Sequence, residues 1–228
     1  MDNAIHEDVF LALFPAHDIL SVDEINLIKE NSQLKTLLRK DSLFEESNTA
    51  KYLVFLKSGL VKLSKNLKHD RSLILKISTP GEFIGIMSQF GEKKYEYSAT
   101  AVVDSEAYFI DVNIFNSILE NNGKYAVYLM NIICTENLNI FNRIILQNNK
   151  QLPGKLADII LYFSENIYQS DSFVLPLTRT ELAELAGTTK ESFIRTLTEF
   201  KNDKIIQIDN KSIKIVSYEI LKTLSRIG

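Results

Sequence analysis

The chain has a single cysteine, no tryptophan and only three histidines among its 228 residues. One thiol, Cys134, cannot form an internal disulfide bond, and it is too few for a four-cysteine zinc site or a cysteine-ligated iron–sulfur cluster. The histidines, His6, His17 and His69, are scattered and form no His-x-His pair, which argues against a cupin-like metalloenzyme. The sequence therefore predicts no metal site.

Long apolar runs are missing as well. No run reaches the roughly 18 residues that a membrane-spanning helix needs, and the stretch MDNAIHEDVF lacks the basic region of a signal peptide. We therefore expect a cytoplasmic protein without membrane contact. Glycine and proline are scarce, with 8 and 4 residues, while 45% of residues are apolar and 24% charged. This composition is typical of a folded globular protein.

Common catalytic motifs are also lacking. The sequence contains no P-loop, no dinucleotide-binding glycine motif and no G-x-S-x-G, so we expect no enzymatic activity. The net charge of −3 does not indicate nucleic-acid binding, but the charge is unevenly distributed. From Thr178 to the end nine basic residues face seven acidic ones, whereas the first thirty residues carry one base and seven acids. A locally basic C-terminal part can meet phosphate.

The first half of the chain predicts a helix followed by strands. Residues 18–38 carry apolar residues at helical spacing. From Tyr52 the pattern changes to short β-like runs separated by turn residues: YLVFLKSG, LVKLSK, SLILKIS, EFIGIM, YSATAVV and AYFID. Strands of this length and spacing are typical of an antiparallel sandwich or barrel. The sequence therefore predicts a β-roll flanked by helix.

The longest helical pattern, from Lys124 to about Asn149, is apolar on two sides. The first stripe consists of Met130, Ile133, Asn137, Ile140 and Ile144. The second stripe consists of Val127, Cys134, Leu138, Phe141 and Ile145. Two apolar faces must be buried separately, one by the helix's own domain and the other by a further partner. A second copy of the helix is the simplest such partner. We expect the first stripe to form a dimer interface, in which Asn137 sets the register; burial in a monomer core is the alternative.

The segment QNNKQLPG, which ends at Gly154, interrupts the helical pattern and predicts a hinge. The helix KLADIILYFSENIY follows, and then two short amphipathic stretches on either side of Gly187. Thr178-x-x-Glu181 and Thr188-x-x-Glu191 both match the capping box, which predicts two helix starts ten residues apart. Short helices joined by one glycine are typical of a helix-turn-helix.

The second of these helices has two unlike faces. Phe193, Leu197 and Phe200 share one face, and the opposite face carries Lys190, Glu191, Ile194, Arg195 and Thr198. In a DNA major groove, Lys or Arg donates to guanine and Glu accepts from cytosine. The alternating segment IIQIDNKSIKIV then predicts a hairpin wing whose tip carries Lys211. A solvated surface that contacts a partner protein is the alternative for the charged face.

The segment TRTELAELAGTTKESFIRTLTEFKNDKIIQIDNKSIKI resembles the winged helix-turn-helix of the cyclic AMP receptor and fumarate-nitrate regulator (Crp/Fnr) family. The β-like runs, the long helix and Gly154 follow that family's order, so the resemblance covers nearly the whole chain. It implies an α+β fold with an antiparallel β-roll of the cyclic-nucleotide-binding, jelly-roll type over residues 1–123. A dimerisation helix over 124–149 and a winged helix-turn-helix over 150–228 would follow.

The resemblance also implies a function and its residues. The protein would be a homodimeric transcription regulator that binds a palindromic operator in double-stranded DNA. The implied base-contacting residues are Lys190, Glu191 and Arg195. The implied phosphate-contacting residues are Thr178, Arg179, Thr180 and Lys211. The loop Gln169–Ser172 corresponds to a segment with which family members contact RNA polymerase.

The sequence departs from the cyclic-nucleotide binders of this family at the ligand positions. Their Gly-Glu-Leu and their arginine before a serine correspond to Gly85-Ile86-Met87 and Tyr97-Ser98, and their Thr-Ser corresponds to Ile140-Phe141. A phosphate without its arginine loses a charge-assisted partner. We therefore expect no response to cyclic AMP. The candidate pocket residues Ile86, Tyr97, Ile140 and Phe141 favour an apolar effector or none.

The sequence argues against one sensing chemistry of the family, the iron–sulfur cluster, and leaves another, haem, open. Iron–sulfur sensing needs a cysteine cluster near the N-terminus, where this chain has no cysteine. Haem-based gas or redox sensing stays open as an alternative, because a single imidazole can serve as an axial ligand. A redox role of Cys134 is a weaker alternative, since a cysteine in an apolar stripe is inert by default. No cofactor is predicted.

Overall fold

The structure, a computed structural model, describes residues 14–67 and 71–228, without the side chains at positions 71, 142–144 and 146–148. His6, His69 and the side chain of Ile144 thus lie outside the described residues. The described chain forms two compact units. The first includes the described residues up to Lys65 and then Lys76–Asn139; the second includes Ile140–Gly228 and what is described of Asn66–Leu75.

The predicted β-roll is confirmed. In chain order its elements are α1 Val22–Glu30, β1 Ser32–Leu37, β2 Ser42–Phe44, β3 Tyr52–Ser58, β4 Val61–Leu67, β5 Arg71–Ser78, β6 Phe83–Ile84, α2 Ile86–Phe90, β7 Ser98–Ala101, β8 Ser105–Asp111, α3 Val112–Asn121 and α4 Gly123–Asn149. One four-stranded sheet has the order β1-β8-β3-β6, and the other has the order β2-β7-β4-β5. The pairs with a described register, such as β3 with β8 and β4 with β7, are antiparallel.

The helix predicted over residues 18–38 is wrong in its last third. The Oγ atom of Ser21 accepts from the Glu24 amide at 3.2 Å, and the Glu24 carboxylate accepts from the Ser21 amide at 2.7 Å. This capping box starts α1, which ends at Glu30. Residues 32–37 instead form β1 and pair with β8 along their whole length. Pairing with a distant strand outweighs the local helical spacing.

Aromatic rings fill the core of the first unit. Phe14 lies 5.1 Å from Phe55 between ring centroids, and Phe83 lies 5.6 Å from Phe115. Tyr125 of α4 is fully buried at the edge of this cluster, 6.2 Å from Phe115. Burial of such large rings is the main source of stability in a core. One side of α4 is therefore fixed to the roll by the roll's own hydrophobic core.

The second unit is a three-stranded antiparallel sheet with helices. Its further elements are α5 Leu152–Leu161, a π-helical turn Tyr162–Tyr168, β9 Ser172–Val174, α6 Arg179–Ala186, α7 Lys190–Asn202, β10 Ile206–Asp209, β11 Ser212–Ile215 and α8 Tyr218–Ile227. The sheet order is β10-β11-β9. Leu182, Phe193, Leu197, Ile213 and Leu221 are at most 4% exposed and form its core. Strand β9 and helix α8 were not predicted from the sequence pattern.

The predicted hinge is narrower than expected. Helix α4 ends at Asn149 and α5 begins at Leu152. At this break the Lys150 ammonium lies 2.6 Å from the Asp158 carboxylate, which fixes the turn. Gly154 is buried inside α5, so it is not a hinge residue. A Cβ atom at Gly154 would lie 2.8 Å from the carbonyl carbon of Gly228, so this position needs glycine for close packing.

We expect Gly154→Ala to lower the free energy of unfolding by roughly 1–3 kcal/mol, because the added methyl group meets the backbone of Gly228, which would have to shift away from its hydrogen bond to the Leu224 carbonyl. Urea denaturation measures this. Gly123→Ala is the matched control, since its added Cβ has no atom within 4 Å and alanine favours a helix. Equal stability of the two variants would contradict the packing role of Gly154.

Candidate DNA interface and effector pocket

The first predicted helix cap of the helix-turn-helix is confirmed. The Thr178 Oγ1 atom accepts from the Glu181 amide at 3.2 Å, and the Glu181 carboxylate accepts from the Thr178 amide at 2.8 Å. This capping box starts α6 at Arg179. The helix ends at Gly187, which has φ +64° and open space around it. Glycine is needed there for its left-handed backbone conformation.

The second predicted cap is shifted by one residue. Thr189, not Thr188, is the N-cap of α7, and its Oγ1 atom accepts from the Ser192 amide at 3.3 Å. The Thr188 amide donates to the Ala183 carbonyl at 3.0 Å and closes the turn after α6. The predicted Thr188–Glu191 capping box is therefore wrong. Because Glu191 is not needed for a cap, its carboxylate stays available on the outer face of α7.

Helix α7 presents the predicted base-contacting residues together. Lys190, Glu191 and Arg195 are all exposed on one face. Phe193 and Leu197 of the same helix point into the core and are at most 4% exposed. Within the described part of the chain, no side-chain hydrogen bond or ion pair engages Lys190, Glu191 or Arg195. Two cations and one carboxylate on a single helix face can donate to guanine and accept from cytosine.

The hairpin wing is confirmed, and a guanidinium holds it in place. Asp209 pairs with Ser212, so Asn210 and Lys211 form a two-residue turn, with Asn210 at φ +53°. The Arg179 Nη2 atom donates to the Asn210 carbonyl at 3.1 Å. Burial lowers the pKa of Arg179, yet an arginine stays charged at any physiological pH. Arg179 thus joins the start of α6 to the wing, a role that the sequence analysis missed.

The four predicted phosphate-contacting residues differ in their availability. Thr180 and Lys211 are exposed. The amide and hydroxyl of Thr178 both donate to the Glu181 carboxylate, at 2.8 and 2.9 Å. The guanidinium of Arg179 uses one of its five N–H groups on the wing. Within the described residues, the free donors at this edge are therefore those of Thr180, Lys211 and the remaining N–H groups of Arg179.

In the roll, the two segments that align with cyclic-nucleotide contacts meet each other. The Tyr97 hydroxyl accepts from the Gly85 amide at 3.1 Å. Ile86 and Tyr97 are only 3% and 5% exposed. Burial raises the pKa of Tyr97 to about 12, despite the opposing hydrogen bond from Gly85. The neutral Tyr97 side chain thus accepts the hydrogen bond of the Gly85 amide, which directly precedes α2.

A charged cluster lies beside Tyr97. The Lys76 ammonium on β5 is 2.7 Å from Glu136 of α4 and 2.8 Å from Glu82. Burial lowers the pKa of Lys76, but the two carboxylates outweigh it, so the pKa is raised. Both Lys76 and Glu136 also influence the pKa of Tyr97. This cluster was not predicted from the sequence, in which a lysine inside the apolar run SLILKIS is its one local sign.

Other candidate residues of the sequence analysis lie elsewhere. Ile140 is half-buried and Phe141 is 62% exposed, and both belong to the second unit. His17 is exposed in a turn, so it is not enclosed as a haem ligand would be. Among the described residues, no group of three His, Cys, Asp or Glu side chains is arranged to hold a metal ion. No described helix is long and apolar enough to cross a membrane.

The exposed apolar face of α4 is the second stripe, not the first. Ile133 packs against the aromatic core of the roll. The Asn137 side chain donates to the Ile133 carbonyl of its own helix at 2.8 Å. Met130 is the exception in the first stripe, at 62% exposed. In the second stripe Cys134 is exposed, and the other members are 57–62% exposed: Val127, Leu138, Phe141 and Ile145.

The shifted cap of α7 gives a direct prediction. Thr189→Ala should lower the free energy of unfolding by about 1 kcal/mol, because the Ser192 amide loses its acceptor. Thr188→Ala should leave the cap intact, and it serves as the matched control. Chemical denaturation of both variants measures the difference. A larger loss in Thr188→Ala than in Thr189→Ala would restore the cap that the sequence pattern predicts.

Comparisons with known proteins agree with this architecture. A cyclic nucleotide-binding domain model matches residues 34–122, and a Crp-like helix-turn-helix domain model matches residues 154–224. The chain is 27% identical over 218 residues to the anaerobic regulatory protein of Bacillus subtilis, covering 92% of this chain and 90% of that protein. It is 23% identical over 192 residues to the CRP-like cAMP-activated global transcriptional regulator of Mycobacterium tuberculosis, covering 82% and 86%.

The fold has a close counterpart among solved structures. A Crp/Fnr-family transcriptional regulator from Eubacterium rectale superposes with a TM-score of 0.80 at 19% identity, covering 94% of this chain and 99% of that chain. The roll and the helix-turn-helix are each matched by their own family model, in the same order along the chain. The chain therefore belongs to the Crp/Fnr family and is a DNA-binding transcription regulator of that type.

Proposed function

We propose that the protein is a homodimer that reads a palindromic operator and does so without cyclic AMP. The observation that carries the DNA-reading part is the outer face of α7, where Lys190, Glu191 and Arg195 are exposed and unpartnered among the described residues. A regulator needs such groups free, because each base contact replaces water with a directed hydrogen bond.

The proposed DNA contacts divide into two classes. Lys190 and Arg195 donate to guanine, and Glu191 accepts from cytosine N4. Thr180, Lys211 and the free N–H groups of Arg179 bind phosphates, aided by the partial positive charge at the start of α6. Because the Thr178 hydroxyl donates to Glu181, its proposed phosphate contact is the weakest of the four. Base contacts set sequence preference, whereas phosphate contacts set overall affinity.

The proposed dimer forms through the second stripe of α4. Val127, Cys134 and Phe141 are spaced seven residues apart, and so are Leu138 and Ile145. The two sets alternate at three- and four-residue steps, which is the a/d spacing of a parallel coiled coil. Asn131 is exposed seven residues before Leu138 and takes over the register role predicted for Asn137. A two-fold axis along α4 then pairs two recognition helices.

The roll argues against cyclic AMP as the effector. The position of the family's arginine carries Tyr97, whose hydroxyl already occupies the Gly85 amide. The nearby cation, Lys76, is neutralised by Glu82 and Glu136. Among the described residues, a cyclic phosphate would meet no free cation in this region and would lose hydration without replacement. Since Glu136 lies on α4, changes in this cluster would reach the proposed dimer helix directly.

The loop Gln169–Ser172 is the proposed contact for RNA polymerase. Gln169 adopts a left-handed conformation at φ +48° and ends the π-helical turn. The Ser164 hydroxyl donates to the Ser170 carbonyl at 2.7 Å, and the Ser170 hydroxyl donates to the Ser172 carbonyl at 2.9 Å. These bonds give an exposed loop a defined shape, which suits a protein contact.

DNA selection from a random duplex pool should yield a palindromic site that the protein prefers over a scrambled duplex. Arg195→Ala should lose roughly 1–3 kcal/mol of base discrimination. Lys211→Ala should weaken binding to all duplexes alike and reduce the salt dependence by about one phosphate contact. Lys222→Ala removes an exposed cation of α8 and is the charge-matched control. Equal affinity for selected and scrambled duplexes would refute the DNA-reading proposal.

The dimer proposal predicts an oxidative cross-link. In a parallel pair, the two Cys134 residues face each other near the two-fold axis, within reach of a disulfide bond. Diamide should therefore convert the protein at low concentration to a covalent dimer, detected on non-reducing gels. Asn139→Cys in a Cys134→Ser background is the control, since Asn139 is exposed but off the second stripe. Equal cross-linking of both proteins, or of neither, would contradict the interface.

Cyclic AMP at millimolar concentration should leave the operator affinity and the thermal midpoint unchanged, because the described cation beside Tyr97, Lys76, is already paired with Glu82 and Glu136. Fluorescence anisotropy with the selected operator measures the affinity, and differential scanning fluorimetry measures the midpoint. A rise in both quantities with cyclic AMP would overturn this part of the proposal while leaving the DNA contacts intact.

A further inference from the structure

The outer face of α7 carries one large apolar side chain among its charged and polar ones. Ile194 is 39% exposed, whereas Phe193, Leu197 and Phe200 on the same helix are at most 4% exposed. Ile194 lies four residues after Lys190 and directly before Arg195. On a helix, residues four apart are neighbours along one ridge. Ile194 is therefore in the middle of the surface that the proposed function turns toward the bases.

The Ile194 side chain is poorly suited to a helix position that contacts only water. Isoleucine is a weaker helix former than lysine, glutamate or alanine at an exposed helical position. Its branched Cβ restricts it to one preferred rotamer in a helix, so its methyl groups point in a fixed direction. A single exposed isoleucine is ordinary on a protein surface. The observation that indicates a contact with DNA is the location of Ile194 between the proposed base-contacting residues, not its exposure.

The hydroxyl of Thr198 does not change the apolar character of the helix ridge around Ile194. Thr198 is the next residue along it, and its Oγ1 atom donates to the Ile194 carbonyl at 2.8 Å. That bond uses the only proton of the hydroxyl, so Thr198 has no donor left for a base. The ridge thus begins with the cation of Lys190 and continues with a fixed apolar group.

The major groove offers one apolar group to such a side chain, the C5-methyl of thymine. We propose that Ile194 is a specificity-determining residue that packs against a thymine methyl group, beside the base pairs read by Lys190, Glu191 and Arg195. This inference rests on the proposed DNA-reading function. It predicts one thymine in each half-site whose methyl group contributes to affinity, in addition to the G·C pairs read by the charged residues.

The test is a thymine-to-uracil scan of the selected operator. Uracil keeps every hydrogen-bonding group of thymine and lacks only the methyl group, so the scan isolates the apolar contact. We expect one thymine per half-site at which uracil weakens binding roughly fourfold, the equivalent of one buried methyl-sized group. At this position Ile194→Ala should bind thymine and uracil equally well, whereas Ile194→Val should keep most of the discrimination.

Ile220→Ala is the matched control. Ile220 has a similar exposure, 45%, but lies on α8, so its removal should preserve the discrimination at the sensitive thymine. Discrimination that persists in Ile194→Ala, or a scan with no sensitive thymine, would overturn the inference while specific binding to the operator still upholds the proposed function. If the pool yields no preferred duplex at all, the proposed function fails and the inference fails with it.

Discussion

Helix α4 carries more apolar surface than the described part of the chain covers. Tyr125 and Leu129 are buried in the aromatic core of the roll, while Leu138 and Phe141 are each 62% exposed. A row of exposed apolar side chains along one helix is costly in water and marks an interaction surface. A second copy of α4 offers the same row in the same order. The proposed two-fold pairing of the recognition helices depends on this uncovered face.

In the roll, the two segments that align with cyclic-nucleotide contacts are bonded to each other. A cyclic nucleotide-binding domain model matches residues 34–122. Yet the Gly85 amide is bound by Tyr97, and the charge of Lys76 is balanced by Glu82 and Glu136. The Gly85 amide and the Lys76 ammonium therefore have their partners within the chain. Function depends on the side chains placed on a fold rather than on the fold itself.

Local signals made much of the architecture predictable. The alternating runs of the roll, the Thr178–Glu181 capping box and the Asn210–Lys211 turn depend on residues close in sequence. The outer face of α7, with Lys190, Glu191 and Arg195, followed from helical periodicity alone. These features were confirmed because each is a short-range pattern with one dominant physical cause.

Long-range contacts explain what the sequence left unpredicted. The bond from Arg179 to Asn210 spans 31 residues, and the pair of Lys76 and Glu136 spans 60. Neither leaves a local pattern. The same cause explains where the structure departs from local patterns: β1 forms because β8 is present, and Ile133 of the first apolar stripe packs against the roll core. Two apolar stripes can be recognised on a helix by spacing, but which one faces inward depends on the rest of the fold.

The most direct test of the paired regulator is the dependence of affinity on the distance between half-sites. Two recognition helices joined through α4 require half-sites about one helical turn apart, on the same side of the duplex. Inserting about half a turn of DNA, roughly five base pairs, between the half-sites should reduce affinity to that of a single half-site. An affinity that does not change with this insertion would mean that each chain binds independently, and it would contradict the proposed dimer.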